Sequence, residues 1–177
     1  MKVAGLDLSL TGTGWCLIGA TPVWGRINTV NFRGVDRLLL IEECLTEVLV
    51  PAGKIDLLCL EGYSFGSQGR AVFNIGELGG VVRCLLHKQE IPWVEVAPQT
   101  LKKFVTGKGN TKKEDMKLHT FKRWGIEFET SDECDAFGLA KMAEVIVSGD
   151  TENLTQAQQE AIKKPAEEYC SKYKYDI

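Results

Sequence analysis

The chain has 177 residues, a formal net charge of −3, 44% hydrophobic residues and 25% charged residues. This length suits about one domain, and these proportions exclude a disordered, fibrous or collagen-like chain. The N-terminus lacks a basic segment followed by an apolar run, and no apolar run reaches the roughly 18 residues that cross a bilayer. We therefore expect a cytoplasmic protein with no membrane partner.

The first segment, Lys2 to Trp15, predicts a buried strand that ends in a carboxylate. Its near-continuous apolar residues are typical of a central strand covered on both faces, and Asp7 follows them just before a predicted turn over residues 9–14. A charge at such a place is costly unless it is paired or bound to a metal. Asp7 is therefore the first candidate site residue.

Two more strands, a helix and a second buried strand follow. Residues 15–20 and 23–31 predict an antiparallel meander with the first strand, and apolar residues at helical spacing from 35 to 49 predict a crossover helix. Residues 55–61 then predict a buried strand of the parallel type, which again ends in an acid, Glu61. Ligands of α/β sheets usually bind where the strands end, so the two acids are expected at one edge.

A glycine-rich loop, residues 62–69, leads from Glu61 into a predicted helix over residues 71–88. The helix contains three glycines, Gly76, Gly79 and Gly80. Glycine lowers helix stability by about 1 kcal/mol at each position, so three of them predict close packing against another backbone.

The remaining chain predicts one strand and several helices. A strand over residues 91–97 precedes a short helix from Pro98, and capping-box spacing starts two further helices, at Thr111 with Glu114 and at Thr130 with Glu133. Residues 154–164 predict a polar helix that is interrupted or ended at Pro165.

This order of elements predicts an α/β protein with three layers, in which helices flank a mixed central sheet. We expect residues 1–150 to form the domain and residues 151–177 to form a C-terminal helical tail, to which the pattern assigns no role.

The cysteines and histidines do not predict a metal site. Six cysteines are scattered without CxxC spacing, so small buried hydrophobic side chains explain them better than disulfides or zinc ligands. The two histidines, His87 and His119, stand apart from each other. Any metal site must therefore be built from oxygen ligands.

Two more acids, Asp132 and Asp135, complete a candidate metal site. They are three residues apart at a predicted helix start and so lie on one helix face. Each acid has a structural alternative: Asp7 capping its turn, Glu61 pairing with a lysine, and the two later acids favouring a helix N-terminus. Together, four converging carboxylates favour magnesium or manganese, and two such ions about 3.5–4 Å apart catalyse phosphodiester cleavage in nucleases.

Positive charge is concentrated in one stretch. Between Lys102 and Arg123 there are eight basic residues against Glu114 and Asp115, a local charge of +6, which leaves about −9 on the rest of the chain. Local charge matters more to a polyanion than the total, because salt screens interactions beyond about 10 Å. The stretch is consistent with nucleic-acid binding and equally with a solvated helix face.

Four blocks of this sequence resemble the RuvC-like Holliday junction resolvases of the ribonuclease H-like superfamily. They read GLDLSLTGTGW, LEGYSFG, VAPQTLKKFVTGKGNTKK and DECDAFGLA, and they occur in this order between residues 2 and 147. Any one block would be weak, whereas the ordered set is specific.

The resemblance implies a homodimer that binds a four-way DNA junction and nicks opposing strands, with two magnesium ions per active site. The four catalytic, metal-binding acids would be Asp7, Glu61, Asp132 and Asp135, helped by Lys102 and Lys113. Further DNA contacts would come from Tyr63, Phe65, Arg70, Lys103, Lys108 and Lys112, and the dimer interface from Gly76, Gly79 and Gly80.

One position departs from the family. Relatives carry an aromatic residue three positions after the second acid, where it stacks on an unpaired base of the junction, but this chain has Ser64 there. Its neighbours Tyr63 and Phe65 are the candidates for that role, so the sequence preference of cleavage stays open.

Three alternatives remain open from the residues themselves. One is a nuclease of the same fold that acts on structured RNA or on flaps. Another is a module that binds branched DNA without cutting it, although such a module would more naturally have lost an acid. The third is an actin-like ATP-binding protein, whose phosphate loop resembles DLSLTGTGW, but which needs two such subdomains.

Overall fold

Five strands form one mixed sheet in the order β3-β2-β1-β4-β5. The computed structural model describes residues 1–63 and 70–173, without the side chains of 70, 71 and 113. The strands of this part are β1 (Val3–Asp7), β2 (Gly12–Ile18), β3 (Pro22–Asn28), β4 (Leu57–Glu61) and β5 (Trp93–Val96). The first three strands form the predicted antiparallel meander, and β1, β4 and β5 run parallel to one another.

Helices cover both faces of the sheet. In the described residues they are α1 (Gly34–Leu49), α2 (Arg70–Lys88), α3 (Pro98–Thr106), α4 (Lys113–Trp124), α5 (Ser131–Ser148) and α6 (Gln156–Tyr173). The core on one face contains residues of α1 and α2, and the core on the other contains residues of α3, α4, α5 and α6. The predicted three-layer α/β fold is therefore confirmed.

The position of α5 depends on two glycines in the sheet. A Cβ atom on Gly5 of β1 would lie 2.1 Å from the carbonyl oxygen of Ala136, and one on Gly14 of β2 would lie 2.1 Å from that of Asp132. Both contacts involve backbone atoms, which cannot move aside as a flexible side chain does. Because these two positions lack side chains, the backbone of α5 rests directly on the centre of the sheet.

Three local predictions were wrong. β2 already begins at Gly12, inside the predicted turn, because residues 12–18 pair along the whole of β3. Thr111 does not cap α4, since its hydroxyl contacts Thr106 Oγ1 and donates to the carbonyl of Lys108 instead. By contrast, the capping box of Thr130 and Glu133 at the start of α5 is confirmed.

The third error concerns Pro165, which lies inside α6 and does not end it. A proline in a helix interior costs about 3 kcal/mol or more. Here the side chains on both sides of the proline, including Ile162 and Tyr169, are buried in the core, so packing offsets the loss of one backbone hydrogen bond. Gln158 of the same helix is also buried, and its Nε2 donates to the carbonyl of Phe104 at 2.8 Å.

The six cysteines are free thiols. Cys16, Cys59 and Cys134 are buried, as predicted, but Cys84 and Cys170 are exposed because both lie on the outer faces of their helices. No helix in the described part of the chain has the length and apolar character needed to span a membrane.

Candidate active site

Asp7 and Glu61 end two neighbouring parallel strands. β1 and β4 pair through Leu6 and Leu60, and the two acids are the next residues of their strands, so they share one edge of the sheet. Asp7 is only 5% exposed, whereas Glu61 is partly exposed. The structure therefore confirms that both acids lie at the ends of strands.

The first turn of α5 brings two more acids to the same edge. Gly14 pairs with Asp7 across β1 and β2 and lies directly under the carbonyl of Asp132. Asp135, one turn further along α5, is 7% exposed. Thr130 Oγ1 accepts from the backbone N–H of Glu133, and Glu133 Oε2 accepts from that of Thr130, so the cap defines where this turn begins.

The structure gives Asp132 a partner that sequence reasoning missed. Arg26 Nε, from β3, donates to Asp132 Oδ2 at 2.7 Å, and the two side chains are 29% and 18% exposed. The pair joins residues 106 positions apart in the chain. No local pattern around Arg26 signals such a contact, because arginine at an alternating strand position usually faces solvent.

The described side chains do not form a ready metal cage. Glu61 lines a cavity of about 160 Å³ with Val72 and Ile75 of α2, whereas Asp132 lines a separate cleft with Arg26 and Lys117. Among the described residues, no three acidic, histidine or cysteine side chains are grouped so that they could hold one metal ion. The backbone thus brings the four acids to one edge of the sheet, and their carboxylate oxygens suit a hard divalent cation.

Tyr63, predicted to contact DNA, lies against α2. Arg83 Nη1 donates to Tyr63 Oη at 2.7 Å, and the guanidinium carbon lies 4.8 Å from the ring centroid. Arg83 Nε also donates to Glu95 Oε1 at 2.7 Å. A Cβ atom on Gly79 would lie 2.2 Å from Tyr63 Oη. Because Gly79 has no side chain, Tyr63 of the same chain can pack against it.

The other two glycines of α2 are open to their surroundings. Apart from their chain neighbours and the surrounding helix backbone, no described atom lies within 4 Å of the Cβ position of Gly76 or Gly80. Phe73, one turn before Gly76, is 73% exposed, and these three residues share one face of the helix. Gly79 thus faces Tyr63, whose hydroxyl also donates to the carbonyl of Gly76 at 3.4 Å, while the Cβ positions of Gly76 and Gly80 are open.

Two basic residues of the positive stretch are committed to the fold. Lys117 Nζ donates to the carbonyls of Phe128 at 3.1 Å and Glu129 at 2.6 Å. Arg123 Nη1 donates to the carbonyl of Phe104 at 3.0 Å, and its guanidinium covers that aromatic ring. These two cations support the packing of α4, so the positive stretch is not simply a solvated helix face.

The basic residues predicted to bind DNA differ in their surroundings. Lys103 Nζ lies 2.6 Å from Glu160 Oε2 of α6, while Lys108 and Lys112 are exposed and Lys102 is partly buried. Three further predicted residues lie outside the description: Phe65 entirely, and Arg70 and Lys113 in their side chains.

Comparison with known proteins identifies the family. Residues 3–141 match the model of the family described as crossover junction endodeoxyribonuclease RuvC. The protein of that name from Carboxydothermus hydrogenoformans is 26% identical over 151 residues, which cover 79% of this chain and 93% of the relative.

Solved structures share the fold. The RuvC structure from Thermus thermophilus superposes with a TM-score of 0.69 at 22% identity, covering 84% of this chain and 97% of the other. The same protein in complex with a Holliday junction substrate gives a TM-score of 0.68 at 21% identity, covering 79% and 90%. The predicted ribonuclease H-like fold is confirmed. Since the family model spans most of the chain, this protein belongs to the crossover junction endodeoxyribonuclease RuvC family.

Proposed function

We propose that this protein is a structure-selective endodeoxyribonuclease that cleaves four-way DNA junctions in recombination, repair or genome processing. The observation that carries the proposal is the pair of buried carboxylates, Asp7 and Asp135, at the sheet edge under the first turn of α5. Carboxylate oxygens are the ligands that hard divalent cations prefer. Membership of the family supports a junction as the substrate.

Magnesium is the proposed cofactor, replaceable by manganese, with two ions per active site. Asp7, Glu61, Asp132 and Asp135 would hold the ions, since oxygen ligands alone suit these hard cations. When bound, such ions activate the attacking water and stabilise the leaving oxygen. The four acids come to one edge of the sheet, but the described side chains do not form a three-ligand group, so the side chains would rearrange when the ions bind.

The chain's own residues would orient the DNA and offset its charge. Lys102, in the second turn of α3, and Lys113, at the start of α4, would stabilise the negative charge that develops on the phosphate. The exposed Lys108 and Lys112 and the partly buried Lys103 would bind phosphates without reading bases, and Arg70 would act with them. Tyr63 or Phe65 would stack on an unpaired base, as aromatic residues do on splayed nucleotides.

A homodimer would supply the second active site. Paired nicks in opposing strands need two sites related by a twofold axis, and a twofold interface brings the same patch of each protomer together. The face of α2 with Phe73, Gly76 and Gly80 suits such a patch, because glycines let two helices approach closely and the phenylalanine is largely exposed. Gly79, by contrast, would act through Tyr63 within each protomer.

The test is cleavage of a labelled four-way junction, a fork analogue, a flap, structured RNA and plain duplex, with magnesium or with a chelator. Asp7→Asn is compared with Asp150→Asn. Asp150 follows α5, a helix of 18 residues and so about 27 Å long, and its Oδ1 accepts from the N–H of Glu152, a bond that asparagine can keep.

We expect symmetric, magnesium-dependent nicks in the junction from the wild type and from Asp150→Asn, and none from Asp7→Asn. Equal cutting of forks and flaps would show that the protein is a broader branched-DNA nuclease and not a junction resolvase. Cutting of RNA alone would show that its substrate is RNA and not DNA. Tight junction binding without any cutting would show that the protein is a binding module and not an enzyme.

A further inference from the structure

Arg26 contacts Asp132, a proposed metal ligand, in a cleft separate from the cavity that Glu61 lines. It pairs with Gly14 across β2 and β3, so it stands two strands away from Asp7 on the same edge of the sheet. Its Nε donates to Asp132 Oδ2 at 2.7 Å, and Nη2 lies 3.5 Å from the carbonyl oxygen of Thr11. The guanidinium is thus tied both to a candidate metal ligand and to the loop after β1.

The path of this side chain depends on a glycine. A Cβ atom on Gly12 would lie 2.2 Å from Arg26 Nη2 and 2.4 Å from Nε. Arg26 therefore passes over Gly12 of the neighbouring strand to reach α5, and the absence of a side chain at residue 12 provides the space. The ion pair lines a cleft with Glu114 and Lys117 of α4.

On the basis of the proposed metal site, we propose that Arg26 competes with the divalent cation for the carboxylate of Asp132. The guanidinium offsets the negative charge of Asp132 through this 2.7 Å contact. A cation brought to the same carboxylate is repelled by the guanidinium and must share or displace it. The ion pair therefore lowers the affinity of the site for metal, and the partial burial of both side chains limits screening by salt.

The experiment measures Mn²⁺ binding to the full-length protein without DNA, by the loss of the electron paramagnetic resonance signal of free Mn²⁺. The proteins are the wild type, Arg26→Gln, Asp132→Asn and the double variant. Arg33→Gln is the matched control, because Arg33 is exposed and its side chain makes no capping hydrogen bond to α1.

We expect Arg26→Gln to bind Mn²⁺ roughly three- to tenfold more tightly than the wild type, as removal of one partly buried competing charge predicts. Arg33→Gln should bind as the wild type does. In the Asp132→Asn background, Arg26→Gln should bring no tightening, because the shared carboxylate is gone.

Unchanged or weaker binding by Arg26→Gln, with binding by the wild type, would overturn this inference and leave the metal site standing. Absence of Mn²⁺ binding in both proteins would overturn the inference together with the proposed metal site. A second measurement needs no variant: the ¹⁵Nε resonance of Arg26 in the wild type should shift on titration with Mg²⁺. A resonance that stays in place at saturating Mg²⁺ would also overturn the competition.

Discussion

Gly14 lies directly beneath the backbone carbonyl of Asp132. A Cβ atom at residue 14 would stand 2.1 Å from that oxygen and 2.5 Å from its carbon, and Gly14 is also the strand partner of Asp7. One glycine thus brings the first turn of α5 to the end of β1, and with it the acids of the helix to the acid of the strand.

Gly14→Ala should therefore disturb both stability and activity. The overlap involves backbone atoms, so α5 must shift, which we expect to lower the free energy of unfolding by roughly 1–3 kcal/mol. Junction cleavage should fall further than the loss of folded protein explains, because Asp132 moves away from Asp7. Urea denaturation and cleavage rates at a temperature where the variant is folded check this.

Gly19→Ala is the control for this substitution. The nearest described atom to its Cβ position is Lys2 Cε at 3.8 Å, an ordinary contact, so stability should change little. If Gly14→Ala unfolds at the same urea concentration as Gly19→Ala, then α5 does not depend on the space at residue 14.

Two substitutions of Tyr63 test whether its ring or its hydroxyl group contributes to DNA binding. Tyr63→Phe removes the acceptor for Arg83 but keeps the ring, so junction affinity should stay within about twofold. Tyr63→Ala removes the ring, and loss of one base stack should weaken binding about tenfold or more. Fluorescence anisotropy with a labelled junction, in calcium to prevent cutting, measures both. Equal weakening in both variants would assign the effect to the Arg83 hydrogen bond.

Phe73→Asp should dissociate the proposed dimer. A charge placed on the exposed face of α2 would be buried against its symmetry mate, so the dissociation constant should rise at least tenfold. Analytical ultracentrifugation over a concentration series measures this. Leu39→Asp is the matched control, since Leu39 is an exposed apolar residue of α1. Identical sedimentation of Phe73→Asp and the wild type as dimers would exclude this face.

The buried thiols predict a loss of stability at alkaline pH. Burial raises the pKa of Cys16 from 9.0 to about 12 and that of Cys134 to about 11. Above pH 9 an unfolded thiol loses its proton while the native thiol keeps it, so the unfolded state binds fewer protons and stability falls as the pH rises. This contribution is complete below pH 9 and is lost as the pH approaches the native pKa.

Each such thiol should lower the free energy of unfolding by about 1 kcal/mol per pH unit in that range. Cys16→Ala should therefore lose less stability than the wild type between pH 9 and pH 11, measured by urea denaturation at each pH. Cys84→Ala, which removes an exposed thiol, is the control. Parallel curves for Cys16→Ala and the wild type would contradict a native thiol that stays protonated.

Local patterns in the sequence were enough to predict the elements that carry the acids. Two apolar runs that each end in a carboxylate predicted β1 and β4, and the capping-box spacing of Thr130 and Glu133 predicted the start of α5. These predictions succeed because strand alternation, burial and helix capping depend on residues only a few positions apart. The role of each acid in metal binding stays a prediction.

The folded arrangement of distant segments determines which residues meet around those acids. It assigned Gly14 to the approach of α5, Gly79 to Tyr63 and Arg26 to Asp132, and it kept Pro165 inside a helix. Each of these depends on packing between distant segments, as for the ion pair that joins residues 106 positions apart. A glycine or an arginine has the same local signature whatever lies against it, so local patterns specify the helices and strands, whereas the contacts between them depend on the folded chain.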